Sequence, residues 1–404
     1  MSKAVDFTDC LIRKKAYAGM NGSKLSIVYN NELYMLKFPS VAKRNPEISY
    51  TNGTISEYLG CHILAALGFE TQETILGTYK INGKDKIVVA CKDFTENKYV
   101  LQDFASLKNT IVDSINKGKG TELASIMETI EKQRDYNPVE LKNFFWDLFI
   151  ADALIGNWDR HNGNWGSLYD PESDTVRLAP IYDCGSSMNP GADEKTIEEV
   201  LSDKNQLMFR VYEIPTSAIE VDKKRLNYFD FISSLENDDC NAALKRIYPK
   251  IDMEKINKII EETPFIDKKH KDFLKSIINA RKELILEHSY NKLLRRELSL
   301  DSEIETGINV IGSESFGRQY VDSVLNSMKT MPLKEAVIRT HGELINMSQS
   351  DSEKIAKQGL LNTYLKKHGI NSNKEFVAYI KKLEGKSTGR EKKSSKSYDD
   401  FLER

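Results

Sequence analysis

Asp159, Asn164 and Asp183 are the residues whose types and spacing most suggest chemistry. Asp159 and Asn164 stand five apart in GNWDRHNGNWG (156–166), a loop leaving an apolar stretch, and Asp183 follows in IYDCGSS (181–187). Phosphoryl transfer asks little covalent help of a protein. It needs a base that orients the attacking hydroxyl and oxygen ligands that hold magnesium against the phosphates. Asp159 fits the base, and Asn164 with Asp183 fits the metal. Two carboxylates brought together repel unless a cation lies between them, which again favours a metal site. Taken alone the loop reads more readily as an ordinary turn. It is not a calcium loop of the EF-hand kind, because it lacks alternating acidic ligands and a closing Glu. The order points to chemistry: helix, Asp-x4-Asn loop, hairpin, Asp-x-Gly.

Upstream, AYAGMNGSKLSIV (16–28) sets two glycines before a β-rich run. Gly19, Asn21, Gly22, Ser23 and Lys24 could bring backbone N–H groups and an ammonium to phosphate oxygens. A glycine pair before a strand is also an ordinary turn. Lys37 lies in YMLKFP among apolar neighbours, where a snorkelling edge lysine is the plain alternative. Glu57 opens the next helix, a place where the helix dipole favours a carboxylate in any case. A Lys37–Glu57 pair would hold the ammonium toward the α- and β-phosphates of a nucleotide.

These residues need elements to position them. KLSIVYNNELYMLKF (24–38) reads as a β-hairpin turning at Asn30-Asn31, and ILGTYKINGKDKIVVAC (75–91) as a second one turning at Asn82-Gly83. Between them, Leu59, Ile63, Leu64 and Leu67 share one helical face, and Gly68 can end that helix. Hairpin, helix, hairpin suits a small antiparallel sheet with one helix packed on it. Beyond residue 95 the pattern turns helical. Asn137-Pro138 starts a helix that is apolar nearly all round to Ile155, despite Asp147 and Asp152, and so belongs in the middle of a helical lobe. Two β-rich pieces, WGSLY and TVRLAPIY, flank a turn at 170–174. Phe273, Ile277, Ala280 and Leu284 mark the inner face of a long helix. A Gly-, Ser- and acid-rich break at 299–315 precedes a last helical block and a polar tail.

The length of 404 residues favours two domains or three. With 29% charged and 40% hydrophobic residues the composition is that of a globular protein, and no apolar run approaches the ~20 residues that span a bilayer. The first residues lack a secretory signal pattern, and five scattered cysteines without a CxxC pair fit reduced thiols, so a cytoplasmic location is expected. A formal charge of −2 supplies no global field for a polyanion. Between Lys366 and Lys396, ten Lys or Arg face three Glu, but no aromatic platform accompanies them. A solvated tail is therefore the plainer explanation, and this stretch is the one place where weak nucleic-acid contact is conceivable.

GMNGSKLSIVYNNELYMLKFP, SEYLGCHILAALGF, GNWDRHNGN and RLAPIYDCGSS together resemble the HipA-like serine/threonine kinases, most of all the compact CtkA-type branch. The resemblance spans roughly residues 10–295, and DRHNGN and LAPIYD are its most specific parts. It implies an α+β, two-lobed protein-kinase-like fold with ATP between the lobes; the all-α extension beyond it lies outside the resemblance and is read from the residue pattern alone. It also implies Mg²⁺-dependent phosphorylation of protein Ser/Thr hydroxyls, often of the chain itself. By position, Asp159 resembles the catalytic aspartate, Asn164 and Asp183 the Mg²⁺ ligands and Lys37 the ATP-binding lysine. The connection 90–94, with Cys91, Lys92 and Asp93, resembles the hinge that meets adenine. His161 matches a recurrent loop histidine with a structural hydrogen-bonding role. Ordinary eukaryotic kinases have His-Arg-Asp and Asp-Phe-Gly where this chain has Asn157-Trp158-Asp159 and Asp183-Cys184-Gly185. Ser23, Ser186 and Ser187 are the expected sites of self-modification, and an antitoxin-like protein partner is a further implication. The expected domains are an N-lobe at 1–95, a C-lobe at 96–298, a helical extension at 299–383 and a disordered tail at 384–404. The alternatives are a nucleotide-binding scaffold without turnover, and the same fold acting on a lipid or small molecule or transferring AMP.

Overall fold

The computed structural model describes residues 5–17, 23–39, 52–95, 98–112, 117–305, 310–346 and 351–387. The chain divides into two compact units, Met1–Asn291 and Lys292–Arg404.

Unit 1 begins with strands β1 (Val5–Asp6), β2 (Leu11–Arg13), β3 (Lys24–Tyr29) and β4 (Glu32–Lys37). Helix α1 (Gly53–Ala66) follows, then β5 (Thr74–Ile81) and β6 (Lys84–Lys92). The six strands form one sheet in the order β1-β5-β6-β4-β3-β2, antiparallel except for β1 beside β5. Both expected hairpins are present. Asn30 and Asn31 (φ 50° and 63°), and Asn82 and Gly83 (φ 51° and 75°), are left-handed, as two-residue turns between twisted strands require. Helix α1 starts three residues before the Ser56 expected from sequence. It closes on Gly68, whose N–H meets Ala65 O while Phe69 N–H reaches Leu64 O, the paired bonds that stop a helix. β1 and β2 were not foreseen: they are two and three residues long, and Leu11 and Ile12 are both more than half exposed, so neither strand alternates.

Register across β3, β4, β6 and β5 aligns Ser26, Met35, Cys91 and Thr74 in one row and Lys24, Lys37, Val89 and Leu76 in the next. Directly opposed residues share a face. The opposite face carries Ile27, Tyr34, Leu36, Val88 and Ala90, which pack with Phe7 into a separate core. One side of the sheet is thus closed by hydrocarbon, and the other presents the lysines.

The rest of unit 1 is mainly helical: β7 (Val100–Asp103), α2 (Phe104–Ile111), α3 (Leu123–Lys132), α4 (Pro138–Ile155), then β8 (Gly166–Asp170) and β9 (Thr175–Leu178). Helices α5 (Glu194–Ser202) and α6 (Lys204–Tyr212), the small hairpin β10 (Glu220–Val221) and β11 (Lys224–Arg225), and helices α7 (Tyr228–Ser234), α8 (Asp238–Ile247), α9 (Met253–Glu262) and α10 (Lys268–Arg281) complete it. β7 joins the expected β8–β9 hairpin as a third strand. α4 is the core helix. Asn137 caps it by accepting from Val139 N–H, Pro138 occupies its first turn, and eleven of its residues are buried. Each fully buried Leu, Ile or Phe contributes about 1.5–3 kcal/mol, so this helix is a firm anchor for the loop at its C-terminal end. After α10 a π-helical turn, Lys282–Glu287, inserts extra backbone, so that Ile285 and Leu286 are buried while Leu284, expected inside from a 3.6 period, is only half-buried.

Helix α11 (His288–Glu305) runs through much of the expected break at 299–315. α12 (Val310–Ser327), α13 (Leu333–His341), α14 (Asp351–Lys367) and α15 (Asn373–Ser387) follow. In unit 2 the core is Tyr320, Val324, Ala336, Leu361, Tyr364 and Ile380 with their neighbours. Gly317 lies where a Cβ would overlap the Tyr364 ring, which lets α12 and α14 approach closely. Residues 388–404, most of the expected tail, lie outside the described residues. No helix among the described residues is long and apolar enough to cross a membrane.

Candidate active site

The loop 156–166 takes its shape from the end of α4. Gly156 turns the chain at φ 62°, a left-handed value that favours glycine. The fully buried Arg281 lies against it and donates from Nε to Ala153 O at 2.6 Å. Burial lowers the Arg281 pKa to about 10, and the carbonyl end of the helix offsets part of that cost.

Asp152, 1% exposed on α4, organises the loop. Its carboxylate accepts from Asn157 Nδ2 at 3.1 Å and from Arg160 Nε and Nη2 at 3.0 and 3.3 Å. Asn157 Oδ1 in turn accepts from Asp159 N–H at 3.1 Å. Arg160, 6% exposed, also donates to Asn164 O at 2.9 Å, to Tyr182 O, and to Cys184 Sγ at 3.3 Å. One guanidinium therefore joins the core helix, the loop and the residues on either side of Asp183. Burial raises the Asp152 pKa even against the Arg160 charge, so the carboxylate depends on that partner. The sequence carried a signal for this pair: an acid in an otherwise apolar helix needs a cation, and Arg160 lies eight residues on.

Lys37 closes the site from the sheet. Its Nζ stands 3.1 Å from Glu57 Oε2 and 3.0 Å from Asp183 Oδ1, linking strand β4, helix α1 and the segment after β9. Burial opposes the ammonium charge, but Asp183 and Glu57 outweigh it and hold the Lys37 pKa well above the ordinary lysine value. Glu57 is 1% exposed, and its Oε1 has no hydrogen-bond partner. Gly60 and Gly185 make the approach of α1 possible. A Cβ on Gly60 would lie 2.5 Å from Cys184 Cβ, and one on Gly185 would lie 3.1 Å from Glu57 Oε2.

Asp183 adopts φ 58°, a conformation that costs an aspartate energy and recurs at functional positions. The Lys37 charge lowers its pKa. The Asp159 pKa moves the other way: burial raises it, and the negative Asp183 adds to the rise against the opposing charges of His161, Arg225 and Arg160. Two neighbouring carboxylates are thereby set apart, one firmly ionised and one more basic than usual. Asn164 Nδ2 donates to Asp159 O at 2.7 Å, which orients the amide and leaves Oδ1 as its acceptor. His161 Nδ1 accepts from Gly163 N–H at 3.0 Å, a bond that shapes the loop.

The remaining sequence candidates are spread around this centre. Lys24 pairs with Lys37 across β3 and β4 on the same sheet face, and burial followed by the Lys37 charge lowers its pKa. Ser23 is exposed, and its carbonyl accepts from Phe38 N–H. Gly19, Asn21 and Gly22 lie outside the described residues. Cys91 is fully buried in the row next to Lys37, and burial raises its thiol pKa. Lys92 turns to the other face, pairing with Glu32 at 2.7 Å. The Asp93 carboxylate is held by Lys15, Tyr17 and Thr95. The N–H groups of Lys92 and Asp93 are engaged by Glu73 O and Leu33 O. The Ser187 hydroxyl, a sequence candidate for phosphorylation, is fully buried and donates to Cys184 O at 2.7 Å, so this conformation withholds it as an acceptor.

Chemically, the cleft offers an ammonium held by two carboxylates, a raised-pKa carboxylate and an amide oxygen. Among the described residues no group of three or more His, Cys, Asp or Glu side chains forms a metal cage. The donor set of Asn164 Oδ1 and Asp183 still fits Mg²⁺, which takes one or two protein oxygens and completes its shell with phosphate and water.

Residues 12–264 match the HipA-like C-terminal domain. The chain is 49% identical over 298 residues to the serine/threonine-protein kinase CtkA of Helicobacter pylori strain J99, an alignment covering 73% of this chain and 90% of CtkA. It is also similar to the crystal structure of a Helicobacter pylori proinflammatory kinase CtkA, with a TM-score of 0.68 at 48% identity, over 72% of this chain and 98% of the other. About a quarter of the chain lies outside both alignments.

Proposed function

The chain belongs to the HipA-like family, and we propose that it is a serine/threonine protein kinase that transfers the γ-phosphoryl group of ATP with Mg²⁺ at the site built from Lys37, Asp159, Asn164 and Asp183. The observation that carries this reading is Lys37 held between Glu57 at 3.1 Å and Asp183 at 3.0 Å. That arrangement supports the reading, because an ammonium held beside the metal-binding carboxylate is the group that phosphoryl transfer needs against the α- and β-phosphates of a nucleotide. The 49% identity to a protein named a serine/threonine kinase supports the reaction class.

In this scheme Asp159 accepts the proton of a Ser or Thr hydroxyl as its oxygen bonds to the γ-phosphorus, while the bond to the ADP oxygen breaks. A raised pKa suits that role, since a carboxylate of ordinary acidity is a poor proton acceptor. Lys37, and Lys24 on the same sheet face, stabilise negative charge on the phosphates. Asn164 and Asp183 would hold Mg²⁺, which when bound neutralises the charge shared by the β- and γ-phosphates. Self-phosphorylation is part of the proposal, with the exposed Ser23 and the half-buried Ser186 as the accessible hydroxyls.

The test is incubation of the full chain with γ-labelled ATP and Mg²⁺, alone and with lysate proteins. Label should appear on protein Ser or Thr and vanish with Asp159→Ala. Absence of transfer from the wild-type chain, or transfer undiminished in Asp159→Ala, overturns the assignment.

A further inference from the structure

Two basic segments are tied to the loop that carries Asp159. The first is 117–122, KGKGTE. Its Gly118 and Gly120 carbonyls both accept from Asn162 Nδ2, at 2.9 and 2.8 Å, and Asn162 is a fully buried residue midway between Asp159 and Asn164. The buried Lys108 adds a bond to Gly120 O at 2.6 Å. Gly118, at φ 70°, passes so close to Ala105 O that no side chain fits there. The second segment is the β10–β11 hairpin, turning at Asp222 and Lys223 (φ 52° and 63°). Arg225 from this hairpin donates to the carbonyl of Trp158, the residue before Asp159, with its guanidinium 5.8 Å from the Trp158 ring centre.

The two segments also hold each other. Glu220 N–H donates to Thr121 O at 2.9 Å, and the Glu122 carboxylate accepts from Asp222 N–H at 3.0 Å. They therefore form one rim, fastened to the catalytic loop at Trp158 and at Asn162.

This rim exposes Lys117, Lys119, Lys223, Lys224 and Arg225. Among the described residues no carboxylate lies within salt-bridge distance of any of the five, whereas many other lysines of unit 1, such as Lys92, Lys98, Lys142 and Lys275, have one. The rim's own acids are Glu122, Glu220 and Asp222, so cations are in excess, and Glu122 is engaged in holding the hairpin. Like charges gathered without partners repel one another, and the arrangement is relieved when an anion binds. Arg225 engages a single carbonyl among the described residues, which leaves most of its five donors for such an anion.

We propose that this rim is the docking surface for the protein substrate and selects acceptor hydroxyls flanked by Asp and Glu. The inference rests on the kinase reading of the same site for its choice of ligand. An acidic segment lying on the rim would pass beside Trp158, which brings a neighbouring Ser or Thr to Asp159. The five cations belong to segments bonded to Trp158 and Asn162 and not to the sheet face that carries Lys24 and Lys37, so the acceptor and not the nucleotide is the ligand assigned to them.

The test uses two fluorescein-labelled peptides of equal length, each with one central Ser, one flanked by Glu and Asp and the other by Lys. Fluorescence anisotropy titrations are run on the full chain and on the variants Lys223→Glu/Lys224→Glu and Lys117→Glu/Lys119→Glu, whose side chains hold no element in place. The acidic peptide should bind at least about tenfold more tightly than the basic one, the preference weakening with salt. Each double reversal should weaken acidic-peptide binding by about tenfold, two exposed charge pairs being lost and replaced by repulsion. Equal binding of the two peptides, or reversals without effect, overturns the docking surface. Transfer of label from ATP to the bound acidic peptide is scored separately. Binding that matches the expected pattern without any transfer contradicts the kinase assignment and leaves the acidic-segment surface standing.

Discussion

Replacing Arg160 by Met tests whether the site is built as described. The side chain is 6% exposed and its partner Asp152 1%, and the pair is bidentate at 3.0 and 3.3 Å. Removing one member of a buried pair leaves a charge without a partner, at a cost of about 3–5 kcal/mol. The carbonyls of Asn164 and Tyr182 lose a donor as well. A loss of about 4 kcal/mol with a urea m-value of about 2–3 kcal/mol/M moves the unfolding midpoint down by roughly 1.3–2 M. Tryptophan fluorescence is the appropriate probe, because all three tryptophans, Trp146, Trp158 and Trp165, lie in unit 1 and the signal excludes unit 2. Adding Asp152→Asn to Arg160→Met keeps the acceptor for Asn157 and removes the charge, and should restore about 2 kcal/mol or more. The penalty in Arg160→Met should also shrink on acidification. Asp152 then has a folded pKa above its unfolded value near 3.9, so destabilisation grows as pH rises from the unfolded toward the folded pKa and is absent below both. A single variant within about 1 kcal/mol of wild type, or a double variant no more stable than Arg160→Met, would refute the assignment of Arg160 as the joint of the site.

The same geometry sets three further outcomes. Lys37→Met should lower transfer from ATP by about 100-fold or more, and should also lower the tryptophan unfolding midpoint because the buried Glu57 carboxylate loses its cation; activity of the folded variant within about tenfold of wild type removes Lys37 from the site. The pH profile of kcat/KM for transfer should rise through a midpoint above the ordinary aspartate value near 3.9, because Asp159 must be ionised and burial raises its pKa; a midpoint at or below that value contradicts Asp159 as the base. Gly60→Ala should cost about 1–3 kcal/mol and reduce transfer, because its Cβ would lie 2.5 Å from Cys184 Cβ and push the chain bearing Asp183; Cys184→Gly in the same chain should recover part of both, and unchanged activity in the single variant shows that this contact does not position Asp183.

The sequence made the hairpins legible because their turns are chemical. Asn30-Asn31 and Asn82-Gly83 are pairs that accept positive φ between alternating runs. It made α4 legible through Asn137-Pro138 at its start and the apolar run that ends at Ile155. The candidate site was legible as an ordered set of polar residues, and Lys37, Glu57 and Asp183 do meet within hydrogen-bonding distance. What escaped was structure held by partners distant in sequence. β1, β2 and β7 have two to four residues and no buried alternate, so their pairing depends on neighbours rather than on their own pattern. The π-helical turn at Lys282–Glu287 shifts the inner face by one residue, which a 3.6 period cannot anticipate. Arg160 looked like one more polar residue in a polar loop until Asp152, Tyr182 and Cys184 surrounded it. The rim of 117–122 and 220–225 joins segments about a hundred residues apart, and the Glu220–Thr121 and Asp222–Glu122 bonds reveal it.

The central claim is that Asn164, Asp183 and Lys37 converge on one metal-bound triphosphate opposite Asp159. A crystal structure of the chain with Mg²⁺ and a non-hydrolysable ATP analogue tests it most directly. A cation is expected about 2.0–2.1 Å from Asn164 Oδ1 and an Asp183 carboxylate oxygen, with Lys37 Nζ on the α- and β-phosphates and the terminal phosphate facing Asp159. A nucleotide bound elsewhere, or phosphates directed away from Asp159 and Asp183, would contradict it.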